Sequence, residues 1–403
     1  MTQSRETPGF TRTMRATAVA AVLLLPGWSA GCAATGDYTP QIHVVDGAAA
    51  RVFLIPSHRP PPAAVAKASA AAHVHAMVAG EELGGPNATG QPGDLVLSNG
   101  EVVFVVAREA AGQAAGSLLD AADARDRKDE LEQVVASVGT SAPAVVSLTT
   151  GETADGAAWV EAKGHDARRP DVEVTTRYTL RADERGLLLE TVVANHGAEP
   201  TDALALGDEI RWGGATRFAP RAPAGSAGSS KGPFVGAVGG LASYGLMPTD
   251  GPVDASTGDV TRTEQKSKAL AAGERESYAR VLVVGQRPDT ASVVSELAAL
   301  AGEPLGGVEI ALVDAGGKPV SVPLDAKARL GTPGGGGVSI RAWRGAFGGE
   351  VPPGDYAITF AGGGGRAPGA EPVAVSVVAG QVTKAALVVG DPAPSVDAAS
   401  PPR

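Results

Sequence analysis

Apolar and polar residues alternate with a period of two over much of the chain, the spacing of strands that bury one face and wet the other. Residues 172–181 show it most plainly. Val172, Val174, Thr176, Tyr178 and Leu180 fall on one side, and Glu173, Thr175, Arg177, Thr179 and Arg181 on the other. After Ala-Asp-Glu-Arg-Gly the chain returns through 187–193, which predicts an antiparallel hairpin. A second hairpin is predicted at Asn99-Gly100, between the apolar runs 95–97 and 102–106, because both residues tolerate the positive φ of a tight turn. Residues 118–138 break the pattern. Their run Asp120-Ala-Ala-Asp-Ala-Arg-Asp-Arg-Lys-Asp-Glu-Leu predicts a short helix or long loop with its charges on a solvated face. Residues 221–232 predict a flexible loop, and 289–301 a short helix whose start is capped by Asp289 and Thr290 and which ends near Gly302. Beyond it, short strands at 308–313, 319–324, 355–360, 373–378 and 383–389 alternate with glycine-rich turns, the spacing of a small β-sandwich.

These elements predict a mainly β chain. A large antiparallel β-supersandwich spans 73–288, a helical junction 289–303, a small β-sandwich 304–390 and a disordered polar tail 391–403. Upstream, Pro56-Ser-His-Arg-Pro-Pro-Pro and the alanine-rich stretch after it favour extended geometry, so 56–72 reads as a tether. Short strands at 41–45 and 51–55 are also possible readings of the segment 32–72, which would dock part of it on the body.

Composition narrows the chemistry. Gly 54 and Pro 30 make about a fifth of the 403 residues, a turn-rich chain rather than a wholly disordered one. A net charge of −10 argues against nucleic acid as a partner, since phosphate binding needs clustered positive charge. The single cysteine, Cys32, excludes an internal disulfide and any cysteine-based metal cluster. It follows Arg12 and Arg15, the apolar run 16–25 and the small residues Ser29-Ala30-Gly31, the order of a secretory signal. The segment from Met14 is a complete signal by itself, so translation is expected to start there as readily as at Met1.

Around Cys32 the residues resemble a bacterial lipoprotein signal, with Ser29 where such signals usually carry leucine. The resemblance implies cleavage before Cys32 and acylation of its thiol. It makes 1–31 the signal peptide and 32–72 a lipid-anchored segment. Removing 1–31 shifts the net charge from −10 to −12, so adhesion would rest on the acyl chains rather than on a basic patch. Ala33 after the cysteine resembles lipoproteins sent to the outer membrane, which implies a periplasmic or surface-exposed protein. The stretch with Gly307-Val-Glu-Ile-Ala-Leu-Val-Asp, Gly317-Lys-Pro-Val and Val351-Pro-Pro-Gly-Asp-Tyr-Ala-Ile-Thr-Phe looks like a carboxypeptidase regulatory-like, transthyretin-type sandwich, with Tyr356, Ile358 and Phe360 inward. Gly93-Asp-Leu-Val-Leu-Ser-Asn-Gly, Gly116-Ser-Leu-Leu-Asp, Thr176-Arg-Tyr-Thr-Leu and Leu206-Gly-Asp-Glu-Ile-Arg-Trp-Gly resemble the galactose-mutarotase-like supersandwich that precedes secreted PHP-type metallohydrolases. The His-x-His-x-Asp strand that opens the metal-binding domain of those enzymes does not follow in this sequence.

Candidate chemistry is sparse. His73 and His75 share one side of a strand, but Ala76-Met77 stand where a third ligand is needed, so a solvent-facing pair is expected rather than a metal site. Gly228-Ser-Ser-Lys-Gly matches the Gly-x-Ser-x-Gly elbow formally, without the strand-then-helix setting that a nucleophile requires. The runs 334–337 and 362–365 read as flexible hairpin tips. A sugar site pairs ring faces with fixed polar groups, and Trp 4, Tyr 5 and Phe 7 leave few rings. Trp212 beside Asp208 and Arg211, together with Tyr244, are the ligand-binding candidates, the alternative being that both rings fill the core.

The sequence therefore predicts a non-catalytic, cofactor-free, lipid-anchored envelope protein whose sandwiches bind a glycan or a protein partner. Two alternatives are an accessory subunit docking a separate PHP-type hydrolase and a carbohydrate-active enzyme on a mutarotase-like fold. The enzyme would need paired carboxylates, and Asp208 and Glu209, as strand neighbours, point to opposite faces.

Overall fold

The computed structural model describes residues 71–390 except 109–114, 221–227, 258–259, 334, 367 and 369–370. Cys32, the tether at 56–72 but for its last two residues, and the tail at 391–403 lie outside the described residues.

Two large antiparallel sheets face each other. The first holds nine strands in the order His73–Ala76, Leu95–Ser98, Val102–Val106, Leu118–Asp123, Gln133–Val138, Leu204–Arg211, Thr261–Lys268, Val253–Thr257 and Gly228–Gly232. The second holds eight, in the order Thr216–Phe218, Val235–Val238, Ser243–Pro248, Arg275–Val284, Gly186–Asn195, Arg169–Leu180, Ala158–Asp166 and Pro143–Glu152. Leu97, Phe104 and Ile210 of the first pack in one core with Tyr178, Leu189 and Leu282 of the second. Each such side chain contributes about 1.5–3 kcal/mol when fully withdrawn from water.

The alternation in 172–181 is realised. Val172, Val174, Thr176, Tyr178 and Leu180 are buried while the intervening residues are partly exposed, and the strand pairs with Gly186–Asn195. The Asn99-Gly100 hairpin forms, with Gly100 at φ 80°. Asn99 does more than turn the chain. Its Oδ1 accepts from the Glu101 and Val102 amides, and its Nδ2 donates to the carbonyls of Arg181 and Glu184, both at 2.7 Å, tying one sheet to the other.

The expected helix or loop at 118–138 is a loop only over 124–132, which joins two strands, Leu118–Asp123 and Gln133–Val138. Every residue of Leu118–Asp123 is buried, so no polar alternation advertises the strand. Arg125 and Lys128 of the charged run do face solvent, but most of its acids do not. Asp120 and Asp129 are fully buried and Asp123 nearly so, because backbone amides and arginines replace their water. Within 221–232, residues Gly228–Gly232 form an edge strand on Val253–Thr257 rather than loop, since ladder bonds to a neighbour outweigh the weak strand preference of Gly and Ser.

The helix runs Thr290–Leu300. The Asp289 carboxylate accepts from the Ser292 amide at 2.8 Å, and Gly302 follows the end at φ 71°. Val293 and Leu297 pack against Phe218, Phe234 and Val283, while Ala291 joins the core of the final sandwich. That sandwich has two four-stranded sheets. One groups Gly306–Val313 with Pro319–Val320, Gly348–Val351 and, in parallel, Val382–Val388. The other orders Gly337–Arg341, Lys327–Gly331, Gly354–Gly362 and Val373–Val377. Tyr356, Ile358 and Phe360 point inward as expected. The strand expected over 319–324 stops at Val320, and Leu324 is 81% exposed. Lys327–Gly331, Gly337–Arg341 and Gly348–Val351 are strands beyond those expected, although Lys-Ala-Arg-Leu alternates polar and apolar residues and buries Ala328 and Leu330.

Candidate ligand site

The predicted quartet does not form an accessible cluster. Trp212 lies in the inter-sheet core and its indole N–H donates to Thr261 Oγ1 at 2.9 Å. Its ring stacks on Tyr244 with centroids 6.5 Å apart, and Tyr244 is fully buried. Asp208 is also fully buried and engages Arg280, whose Nε donates to both carboxylate oxygens at 2.9 and 3.0 Å. The Arg280 Nη1 donates to Thr191 Oγ1 and to the Leu189 carbonyl, and the guanidinium lies 4.7 Å from the Tyr278 ring centre. Burial works against the Arg280 charge, but Asp208 and the tyrosines beside it raise its pKa overall, so it stays charged. Arg211 alone of the four reaches solvent, where it pairs with Glu209 and Glu132.

Around Tyr244 the structure brings together acids that the sequence analysis placed on a surface. The Tyr244 hydroxyl donates to Asp129 Oδ1 at 2.8 Å and accepts from the Glu130 and Leu131 amides. Asp129 Oδ1 also accepts from Ala121 N, while Oδ2 has no partner. Burial pushes the Asp129 carboxyl up to about 8, its amide bonds opposing and nearby Asp120 adding to the rise. Burial likewise raises Tyr244 well above its usual range. Glu130 closes the 240–242 turn, accepting from the Gly240, Leu241 and Ala242 amides at 3.0, 2.9 and 3.0 Å. Asp120 holds the Thr89 and Gly90 amides in the same way. These carboxylates clamp loops from within.

The remaining motifs resolve simply. His73 and His75 face solvent and pair with Glu152 at 3.2 Å and Glu81 at 3.0 Å. Glu81 sits below its usual range, through the Val78 amide and then His75. Among the described residues no three His, Cys, Asp or Glu side chains are grouped to hold a metal ion. Gly228–Gly232 is a strand followed by no helix, so the elbow geometry is missing. Gly335, Gly336 and Gly337, and Gly362 to Gly365, all have positive φ at hairpin tips.

An accessible polar cleft lies elsewhere, at the seam between the helix and the last sandwich. It encloses about 320 Å³. Gln286 and Arg287 come from the loop before the helix, Ser292 and Ser295 from its buried side, Glu309 and Glu350 from adjacent strands, and Gln381 from the turn before the last strand. Arg287 Nε donates to Asp289 Oδ2 at 2.9 Å, while its Nη2 is buried without a partner. Gly349 makes room for it: a Cβ there would come within 2.2 Å of that nitrogen. Asp289 also accepts from the Arg341 amide, so one carboxylate caps the helix, holds Arg287 and ties down the sandwich. No spacing motif in the sequence connects these segments, and the cleft was not among the predicted sites.

No family model and no curated protein matches the chain. Solved structures align with parts of it. A galactose mutarotase-like protein from Lactobacillus casei is 11% identical over 48% of this chain and 100% of its own, with a TM-score of 0.32. An α-mannosidase from Enterococcus faecalis is 12% identical over 51% of this chain and 31% of its own, at 0.36. A TPR-domain-containing protein from Parabacteroides distasonis is 10% identical, at 0.38, and the alignment spans 47% of this chain and 46% of that protein. Mutarotase-like β-sandwiches are thus among the structural neighbours, at a distance too great to assign a ligand or a reaction.

Proposed function

We propose that this is a non-catalytic, lipid-anchored envelope protein, tethered through Cys32, whose β-sandwich modules bind a glycan. The observation that carries the binding part is the seam cleft. Its volume of about 320 Å³ falls within the span of small-ligand sites, and its walls mix hydrogen-bond donors with acceptors. The interior acids give no second, catalytic site between the large sheets. Asp208, Asp120 and Glu130 are each occupied by an arginine or by backbone amides. Retaining or inverting glycosidases need two free carboxyl groups flanking a bond. The anchor rests on the signal-like order ending at Cys32.

Two readouts on the protein purified from its host's membranes test this reading. Intact-mass spectrometry should find a mature chain beginning at acylated Cys32, and Cys32→Ser should be released or unprocessed. A bare thiol on a chain starting elsewhere contradicts the anchor. On an array of neutral, amino-bearing and acidic saccharides the protein should bind without cleaving. Hydrolysis would favour a carbohydrate-active enzyme, and no binding at all would leave a protein partner as the better reading.

A further inference from the structure

The seam cleft carries a charge pattern as well as a shape. Arg287 is answered by Asp289 at 2.9 Å, so its positive charge is already spent inside the protein. On the rim, Glu309 is answered by Lys384 at 3.2 Å. Glu350 has no cation set against it among the described residues, which leaves the mouth with a net negative charge. A carboxylated or phosphorylated ligand would meet that field repulsively, whereas an uncharged or ammonium-bearing one would not.

Hydrogen-bonding capacity points the same way. A sugar hydroxyl both donates and accepts, so a site for it needs both functions close together. Gln381 supplies each from one amide, Gln286 does so with one of its amide hydrogens already on Glu296 Oε1 at 2.8 Å, and Glu350 accepts. The Ser292 hydroxyl is used within the protein, donating to the Arg287 carbonyl and accepting from the Arg287 amide, while Ser295 donates to the Ser292 carbonyl and keeps its oxygen as an acceptor. Gly307, Gly349 and Gly380 line the cleft without side chains, and a Cβ at Gly307 would press on Val382 at 3.1 Å. Bare backbone here keeps the cleft open. At about 320 Å³ it stands near the lower end of ligand-site volumes, the size of a chain end rather than of a long chain.

We infer that the seam cleft receives the end of an uncharged or amino-bearing saccharide and discriminates against acidic saccharides. The inference rests on the glycan-binding reading and narrows it. Gln381 and Glu350 are exposed rim positions, so substitution there leaves the cores untouched.

The test uses the full chain on an array carrying neutral, amino-bearing and acidic oligosaccharides, beside Gln381→Trp, Glu350→Gln and Arg287→Ala. Neutral and amino-bearing probes should bind at least about tenfold more tightly than acidic ones. Gln381→Trp should weaken every probe about tenfold with an unchanged melting temperature, by filling the mouth. Glu350→Gln should weaken the amino-bearing probes and narrow the gap to the acidic ones. Arg287→Ala should weaken all, with Gln381→Trp keeping the test decisive if it unfolds. Acidic-selective binding, or binding indifferent to Gln381→Trp, overturns the inference and leaves the glycan reading standing. No binding anywhere on the array overturns the reading itself.

Discussion

Two arginines, seven residues apart in sequence, show how differently this fold uses the same group. Arg280 lies between the large sheets with both its own side chain and its partner Asp208 at 0% exposure, and each of its nitrogens donates to Asp208, Thr191 or a carbonyl. Arg287 sits at the seam with 15% of its side chain exposed, one nitrogen on Asp289 and another without a partner. A buried guanidinium that meets all its needs internally holds two sheets in register. One anchored by a single carboxylate, with its spare nitrogen packed on Gly349, forms instead the wall of an open cleft. The sequence drew its ligand candidates from the first region, where Trp212, Asp208 and Arg211 are neighbours, with core filling as the other reading; the structure puts both rings in the core and an accessible polar cleft beside the second.

Breaking the interior pair should have the largest effect. Arg280→Ala takes from buried Asp208 its only cation, leaving it to ionise without compensation or to take up a proton, and should cost about 3–5 kcal/mol in denaturant unfolding. Replacing both partners with apolar residues of similar volume should cost far less, which would show the pair to specify register more than stability.

Asp129 supplies the next largest effect, through pH. Its folded carboxyl keeps its proton up to about 8, whereas an unfolded one releases it near 3.8. Between these values the folded state binds the extra proton, so this group's contribution makes stability fall as pH rises. Asp129→Asn should flatten that slope. An unchanged slope would mean the carboxyl ionises normally in the fold.

Asp289→Ala sharpens the comparison at the seam. It removes the helix cap and the anchor of Arg287 together, and should cost about 1–2 kcal/mol by thermal unfolding. Saccharide binding should fall as well, since Arg287 is no longer positioned. The exposed cluster of Glu276 with Lys268 and Lys266 should matter least, with Glu276→Gln costing under about 1 kcal/mol. Lys268 and Lys266 hold Glu276 down to about 2. Its small contribution is therefore present above the ordinary carboxylate range and lost as pH falls toward 2.

Much of the fold was legible because its signals are local. The alternation through 172–180 needs only the neighbouring residues, as do the Asn99-Gly100 turn and the Asp289 cap. What escaped depends on partners far along the chain. Asp120 and Asp129 read as surface charges until the amides of residues 89, 90, 121 and 131 close around them. Asn99 serves a turn, yet its bonds to residues 181 and 184 appear only when the sheets meet. The cleft draws Arg287, Glu350 and Gln381 from three separate segments, so no spacing could reveal it. The one hint was Gly348-Gly349 inside a strand, where bare backbone often marks a close approach.

The central claim is that the accessible ligand chemistry lies at the seam and not around Trp212 and Tyr244. Hydrogen exchange of the full chain, with and without the best-binding saccharide of the array, tests it most directly. Protection gained at residues 286–295, 305–309, 349–350 and 380–382, with 206–212 and 243–246 unchanged, is the predicted result. Protection gained at 206–212 and 243–246 with the seam unchanged would contradict it.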